Sequence, residues 1–547
     1  MANQRWENVI LSAEQKWPLF FGDVYDTLNL LTHGKGLGND VPDLLAELIP
    51  LQVFFKDETR RNAFISSMPE EYIVGLSSNL GLNGRTIGEM IQKLKGIKYT
   101  TKVEKIFLNY FGEEPAPKPR EETVVGVETI YENNVAYPLR DYQRQVVRDL
   151  ESILSDGGRR CMVQMPTGSG KTRTAMYFIS EMINSNDCYS VLWLAYSKEL
   201  CEQASDEFSK IWRVRGNKAS QIYRFYGNSD CELPRKKING IIVTTLSKVL
   251  SARKKDETVM ATLANKIDLV VFDEAHQIIA PEYESIVKEI IDLNRSSKLI
   301  GLTATPGRTW NNPEEDEKLS KFFNKNIVPI RTENGETPNE MLTSRGYLSK
   351  IDWVLCDIKT PILKSTEVEL IKQLREEEEL PKNILRQISS DAMRNVRIIS
   401  EAEKLLSYGK KRILVFSTDL PHARDLSILL KRLSGEYGCK VDYIAGDTDP
   451  GLREQIIKEF RSDSPRPHII CNYNVLSTGF DAPNIDAGII ARPTKSLVLF
   501  SQMVGRMIRG PQTPGGTEYA TIVTVVDVKL PGFKDSYYNW TDVWKYD

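Results

Sequence analysis

Met165-Pro166-Thr167-Gly168-Ser169-Gly170-Lys171-Thr172 decides the reading of this chain. The stretch follows a short apolar run, Met162-Val163-Gln164, and opens a segment of helical spacing. In a strand–loop–helix setting, glycines let main-chain N–H groups converge on phosphate oxygens beside a positive helix N-terminus. Thr167, Gly168, Ser169 and Gly170 then form the cradle. Lys171 reaches the β- and γ-phosphates, and the Thr172 hydroxyl is a candidate ligand for Mg2+. The first position of such a loop is ordinarily Gly or Ala, and Met165 departs from that pattern.

Two other segments supply partners for a bound phosphate. Leu269-Val270-Val271-Phe272-Asp273-Glu274-Ala275-His276 puts two acids at the C-terminal end of a buried strand, the edge where open α/β sheets bind ligands. Asp273 is expected to hold Mg2+ through water, and Glu274 to orient and deprotonate an attacking water. As mere core filling, two adjacent carboxylates would be costly. Gln502-Met503-Val504-Gly505-Arg506-Met507-Ile508-Arg509 sets two arginines three apart, on one helix face or turn. From there both guanidiniums could cross a cleft between domains to the γ-phosphate and neutralise charge developing in the transition state.

The pattern around these segments is α/β. Apolar runs at 162–164, 191–194, 241–243, 269–272 and 298–302 are each followed by a turn and a helical stretch, and a second series lies at 413–416, 441–444, 468–471 and 488–490. Runs apolar on both faces belong to buried parallel strands, so two tandem parallel-sheet α/β domains are expected. Residues 1–111 read as a small, mainly helical N-terminal domain. Residues 112–132, rich in Pro and Glu, read as a linker, because alternating prolines favour extended backbone and charge keeps it hydrated. The first α/β domain is placed at 133–310, a charged helical connecting region at 311–400, and the second α/β domain with a C-terminal extension at 401–547. The acidic run 375–379 reads as a solvated helix face.

Composition narrows the class. In 547 residues, 72 Lys and Arg oppose 74 Asp and Glu for a net charge of −2, so nucleic acid contact has to come from local patches and not from a general positive field. No apolar run approaches the roughly 18 residues of a membrane span, and the first residues lack the pattern of a signal peptide, which predicts a cytoplasmic protein with no membrane contact. Seven cysteines without a Cys-x-x-Cys pair and four dispersed histidines favour buried thiols over a zinc site.

Taken in order, the motifs resemble those of superfamily 2 helicases and translocases over residues 133–530. Tyr137-Pro138-Leu139-Arg140-Asp141-Tyr142-Gln143 resembles the adenine-recognising motif, with Gln143 the reader of the base and Arg140 beside it. The phosphate loop is similar to motif I and the Asp-Glu-Ala-His segment to motif II. Thr303-Ala304-Thr305 resembles motif III, which couples hydrolysis to domain movement through Thr303 and Thr305. Ser477-Thr478-Gly479-Phe480-Asp481 resembles motif V, with Gly479 and Asp481 near the nucleotide. The segment from Gln502 to Arg509 resembles motif VI, and the resemblance implies that Gln502 faces His276 across the cleft. It further implies two RecA-like domains that bind ATP and Mg2+ between them. Backbone contacts to one nucleic acid strand would come from Thr245, Ser417 and Thr478, largely independent of sequence.

Within the superfamily the pattern looks most like the motors of type I and type III restriction enzymes, RadD-like repair ATPases and phage branch-migration helicases. The Pro-Thr-Arg-Glu-Leu-Ala and His-Arg-x-Gly-Arg forms of RNA helicases are absent. The resemblance implies an ATP-dependent helicase or translocase on duplex or branched DNA, in repair, recombination or antiviral defence. An ATP-gated assembly module and an RNA helicase are the alternatives. Outside the resemblance, Arg85, Lys93, Lys95, Lys98, Lys102 and Lys105 form a basic strip carrying Tyr99, which could hold phosphates and stack a base, or else be solvated helix faces. The N-terminal domain is also a candidate protein-docking site. Phe54, Phe55 and Trp17 read as core.

Overall fold

The computed structural model describes residues 2–32, 41–112, 127–130, 138–227, 229, 232–234, 236–304, 313–333, 335–359, 363–374, 380–432, 434–446, 448–473, 482–534 and 537. Two sheets organise the chain. The first contains β1 (Val127–Ile130), β2 (Arg160–Gln164), β3 (Ser190–Ala195), β4 (Ser220–Phe225), β5 (Gly240–Thr245), β6 (Leu269–Asp273), β7 (Lys298–Thr303) and β8 (Ile327–Pro329), in the spatial order β1-β4-β5-β3-β6-β7-β2-β8. All its pairings are parallel except that of β1, which runs antiparallel to β4 at the edge.

The second sheet contains β9 (Lys350–Ile358), β10 (Arg412–Phe416), β11 (Lys440–Ile444), β12 (His468–Asn472), β13 (Ala487–Ile490) and β14 (Tyr519–Asp527), ordered β11-β12-β10-β13-β14-β9 and parallel throughout. These are two RecA-like lobes preceded by a helical N-terminal region, as the strand pattern predicts. The stretch 311–400 is more than helical: β8 closes the first sheet and β9 the second. β9 is an edge strand with polar residues at Lys350, Asp352 and Asp357, so it lacks the doubly apolar run that marks a central strand.

Side-chain alternation gives each sheet two apolar faces. In β10, Leu414 and Phe416 point into a core shared with lobe 1, while Ile413 and Val415 point into a core shared with the N-terminal helices. Lobe 2 is therefore flanked on both faces by other parts of the chain. Helix Val24–Leu31 packs on helix Ala392–Ser407, and helix Val41–Leu48 on helix Leu420–Lys431. The N-terminal core is aromatic, with Trp6, Phe54, Phe55, Phe64 and Phe111 in mutual edge and stacked contacts. Trp17 is buried there too.

Helix Ala392–Ser407 is tied to the sheet by a buried ion pair. Arg394 donates to both carboxylate oxygens of Asp527 at 2.8 and 3.1 Å and to the Ala491 carbonyl at 2.6 Å. Six of the cysteines are described, five of them buried, and Cys231 lies outside the described residues, as do the acidic run 375–379 and residues 113–126 of the 112–132 linker, whose residues 127–130 are not linker but form β1. Among the described residues no helix is long and apolar enough to cross a membrane, and no group of His, Cys, Asp and Glu could hold a metal by itself.

Candidate active site

The phosphate loop joins β2 to helix Lys171–Asn184. Gly168 and Gly170 stand at φ +88° and +86°, a left-handed backbone that side chains resist, which is why glycine is needed at both. Met165, the departure from the usual pattern, is fully buried in the core, and its N–H donates to the Thr303 carbonyl at 3.0 Å. The base of the loop is thereby pinned to the end of β7. Ser169 closes the turn, its hydroxyl donating to the Pro166 carbonyl at 2.7 Å.

The segment 140–143 holds the same loop from the other side. Tyr142 Oη and Gln143 Nε2 both donate to the Ser169 carbonyl, at 2.8 and 3.1 Å, and the Arg140 N–H donates to Gln143 Oε1 at 3.0 Å. Burial pushes the Tyr142 hydroxyl above its ordinary range, so it remains a donor. The Arg140 guanidinium lies 4.3 Å over the Tyr347 ring and donates to Thr513 Oγ1 at 2.8 Å. Tyr347 and Thr513 were not singled out from the sequence.

β6 delivers the acids. Asp273 is 4 % exposed and Glu274 9 %. Burial holds the Asp273 carboxyl well above its usual range and the Glu274 charge adds to that, while Lys171 and Arg506 pull it down. The charges of both the loop lysine and a lobe 2 arginine are thus felt at one carboxylate. Glu274 sits at φ +56°, strained for a residue with a side chain. Its Oε2 is buried, accepts no hydrogen bond among the described residues, and lies 3.5 Å from His276 Nδ1. A buried carboxylate oxygen with no donor suits a base awaiting a water.

Lobe 2 meets this edge through helix Leu497–Met507. A Cβ built on Gly505 would stand 2.1 Å from Thr167 Cγ2, and one on Gly168 would stand 2.7 Å from Arg509 Nη1. The arginine segment and the phosphate loop are in direct contact, with Arg506 one turn after Gln502 on that helix. Thr172 is the second residue of helix Lys171–Asn184. A hydroxyl, a buried carboxylate and a substrate phosphate form the all-oxygen donor set that Mg2+ favours, so Thr172 and Asp273 fit that ion.

Two further candidates among the described residues lie at C-terminal strand ends, one in each lobe. Thr245 caps helix Leu246–Lys255, its Oγ1 accepting from the Lys248 N–H at 3.3 Å. Ser417 follows β10, and its buried hydroxyl has no partner among the described residues. Thr305, Thr478, Gly479 and Asp481 fall outside the described residues. In the N-terminal region Tyr99 is not free to stack a base: its ring packs edge-on against Phe107 and lies under the Arg61 guanidinium at 4.7 Å.

Residues 136–308 match the family described as type III restriction enzyme, res subunit, and residues 397–510 match the helicase conserved C-terminal domain. The chain thus carries a restriction-enzyme res-subunit domain followed by a helicase C-terminal domain, consistent with the resemblance to superfamily 2 helicases. IRC3 of Saccharomyces cerevisiae, named as an ATP-dependent helicase, is 26 % identical over 382 residues, 68 % of this chain and 49 % of that protein. The EcoKI type I restriction endonuclease subunit of Escherichia coli K12 is 26 % identical over 402 residues, 68 % of this chain and 33 % of that protein. The chain thus spans half or less of the length of these curated relatives. A solved fragment of an HsdR subunit of a type I restriction enzyme from Vibrio vulnificus YJ016 aligns with 73 % of this chain and 66 % of its own, at 18 % identity and a TM-score of 0.48.

Proposed function

We propose that this helicase is an ATP-driven motor on DNA, moving along or remodelling duplex or branched substrates. The observation that carries the reading is the approach of Arg509 to Gly168, with Arg506 felt electrostatically at Asp273. Hydrolysis then follows from residues already assembled. Main-chain N–H groups of the loop and Lys171 hold the β- and γ-phosphates. Glu274 takes the proton of the attacking water at its carboxylate. Arg506 and Arg509 neutralise the charge that spreads over the γ-phosphoryl oxygens, work worth about 10³–10⁵ in rate for an arginine supplied across a cleft. Mg2+ on Thr172 and Asp273 would add charge neutralisation at the phosphates.

Each lobe carries a candidate backbone contact at the C-terminal end of one of its strands, Thr245 on lobe 1 and Ser417 on lobe 2, so opening and closing would shift one grip relative to the other. DNA is favoured because the relatives include type I restriction endonuclease subunits and because the RNA-helicase forms of motifs Ia and VI are absent. Repair, recombination or phage defence are the settings such a motor would serve.

The test is the ATPase rate with single-stranded, duplex and forked DNA and with RNA of equal length, at fixed salt. DNA should stimulate most, and Lys171→Ala and Arg509→Ala should each remove turnover, the latter with ATP binding retained. Stimulation by RNA above DNA, or none by any nucleic acid, overturns the reading.

A further inference from the structure

The four residues Gly346–Ser349 touch three separate parts of the nucleotide cleft. They follow helix Pro338–Ser344 and lead into β9. On one side they brace the chain around Arg509. Leu348 forms an antiparallel bridge with Arg509, the Ser349 N–H donates to the Ile508 carbonyl at 3.2 Å, and the Gly510 N–H donates to the Tyr347 carbonyl at 3.1 Å. The Ser349 hydroxyl adds a donor 2.9 Å from the Arg509 carbonyl. Arg509 lies two residues past the end of helix Leu497–Met507, and its carbonyl also accepts from the Thr517 N–H at 2.8 Å. Its backbone direction comes from this brace.

On their other sides the same residues reach lobe 1. Leu348 Cδ2 lies 3.0 Å from where a Cβ of Gly168 would stand, against the phosphate loop. The Tyr347 ring pairs with the Tyr142 ring at 5.3 Å and lies under the Arg140 guanidinium. Arg140 and Tyr142 precede Gln143, which the resemblance implies reads the base, so that segment is taken as the base site. Aromatic and cation–π contacts of this kind fix the relative orientation of the groups.

We propose that Gly346–Ser349 is a positioning element for Arg509, and that Tyr347 makes the position of that arginine depend on which nucleobase occupies the site beside Arg140 and Tyr142. The inference rests on the reading of Arg509 as the transition-state arginine. The element would make the enzyme discriminate among nucleoside triphosphates in the hydrolysis step as well as in binding, since a base that leaves Arg140 and Tyr142 misplaced also leaves Tyr347, and hence the Arg509 backbone, misplaced.

Steady-state hydrolysis of ATP and of UTP by the full chain, with saturating DNA, tests this. The wild-type protein should favour ATP in kcat as well as in KM. Tyr347→Ala should lower kcat for ATP about tenfold and bring the two nucleotides to similar kcat, while Tyr347→Phe, which keeps the ring, restores wild-type values. Ser349→Ala should lower kcat for ATP with KM unchanged and preserve the preference for ATP. The proposal is overturned if Tyr347→Ala retains wild-type kcat and discrimination, or if Tyr347→Ala and Ser349→Ala lose activity only in step with a lowered melting temperature. The two readings fail separately: normal hydrolysis by Arg509→Ala sinks the assignment of that arginine, whereas a dead Arg509→Ala beside a fully active Tyr347→Ala sinks only the coupling.

Discussion

Gly505 is a residue whose substitution separates folding from function. It lies inside helix Leu497–Met507, where alanine is the better helix former by about 1 kcal/mol, so Gly505→Ala should not weaken the lobe. The added methyl would nevertheless fall 2.1 Å from Thr167 Cγ2, far inside van der Waals contact, and force the arginine segment away from the phosphate loop. The expected outcome is an unchanged or raised melting temperature, ATP binding retained by lobe 1, and turnover reduced by about 10² or more. A Gly505→Ala protein that hydrolyses ATP at the wild-type rate would mean the contact between loop and helix is dispensable. The residues of this site divide by how far their reasons extend along the chain. Gly168, Gly170 and Lys171 are legible because phosphate chemistry demands them within a few positions of one another, and Asp273 because it stands beside Glu274 at the end of an apolar run. Tyr347 and Thr513 are not, because what gives them meaning is Arg140, which in the case of Thr513 lies 373 positions away. A tyrosine after Gly346 carries no local signal of a partner on another lobe.

Among the elements, most inner strands and the edge strand β11 are legible as apolar runs, whereas β1, β4, β8, β9 and β14 are not. β3, β5, β6, β10 and β12 are buried along their length and read as continuous apolar runs. β9 alternates exposed and covered positions, and β8 has only three residues, so both fade into the charged stretch around them. Helix Leu420–Lys431 raises a different point, because it carries Asp425 into a half-buried position where lobe 2 meets the N-terminal helices. Burial pushes that carboxyl up to about 6, against the pull of Arg386 and Arg424 and with the push of Asp419 and Asp23. A carboxyl raised above its unfolded value near 3.9 binds its proton more tightly in the fold, so the fold loses stability as pH climbs through about 6. Asp425→Asn removes the ionised form. It should raise the melting temperature at pH 8, by a few degrees, and make little difference near pH 3, below the unfolded value, where carboxyl and amide are both neutral. Thermal unfolding at the two pH values checks this, and an Asp425→Asn protein destabilised at pH 8 would show that Arg386 and Arg424 outweigh the burial.

At the scale of the whole molecule, lobe 2 is the piece to which the others attach. One face of its sheet shares a core with lobe 1 and the other shares a core with the N-terminal helices. That second docking could not be read from the sequence, because an apolar helix face looks the same whether its partner is its own domain or a lobe far along the chain. It has a thermodynamic consequence. Leu28, on helix Val24–Leu31, and Leu426, on helix Leu420–Lys431, are both fully buried in that shared core. Truncating a buried leucine to alanine costs about 2–5 kcal/mol. If the N-terminal helices and lobe 2 fold as one cooperative unit, Leu28→Ala and Leu426→Ala should lower the same calorimetric transition by similar amounts. A core substitution on the far side of lobe 1, Ile286→Ala, should move a different transition. Two transitions shifted separately by Leu28→Ala and Leu426→Ala would instead make the N-terminal region an independent domain resting on lobe 2. Under the cooperative outcome the N-terminal helices are carried with lobe 2 as a rigid body whenever the cleft opens. Their basic residues Lys98, Lys102 and Lys105, exposed on the surface, would then move relative to lobe 1 in every cycle.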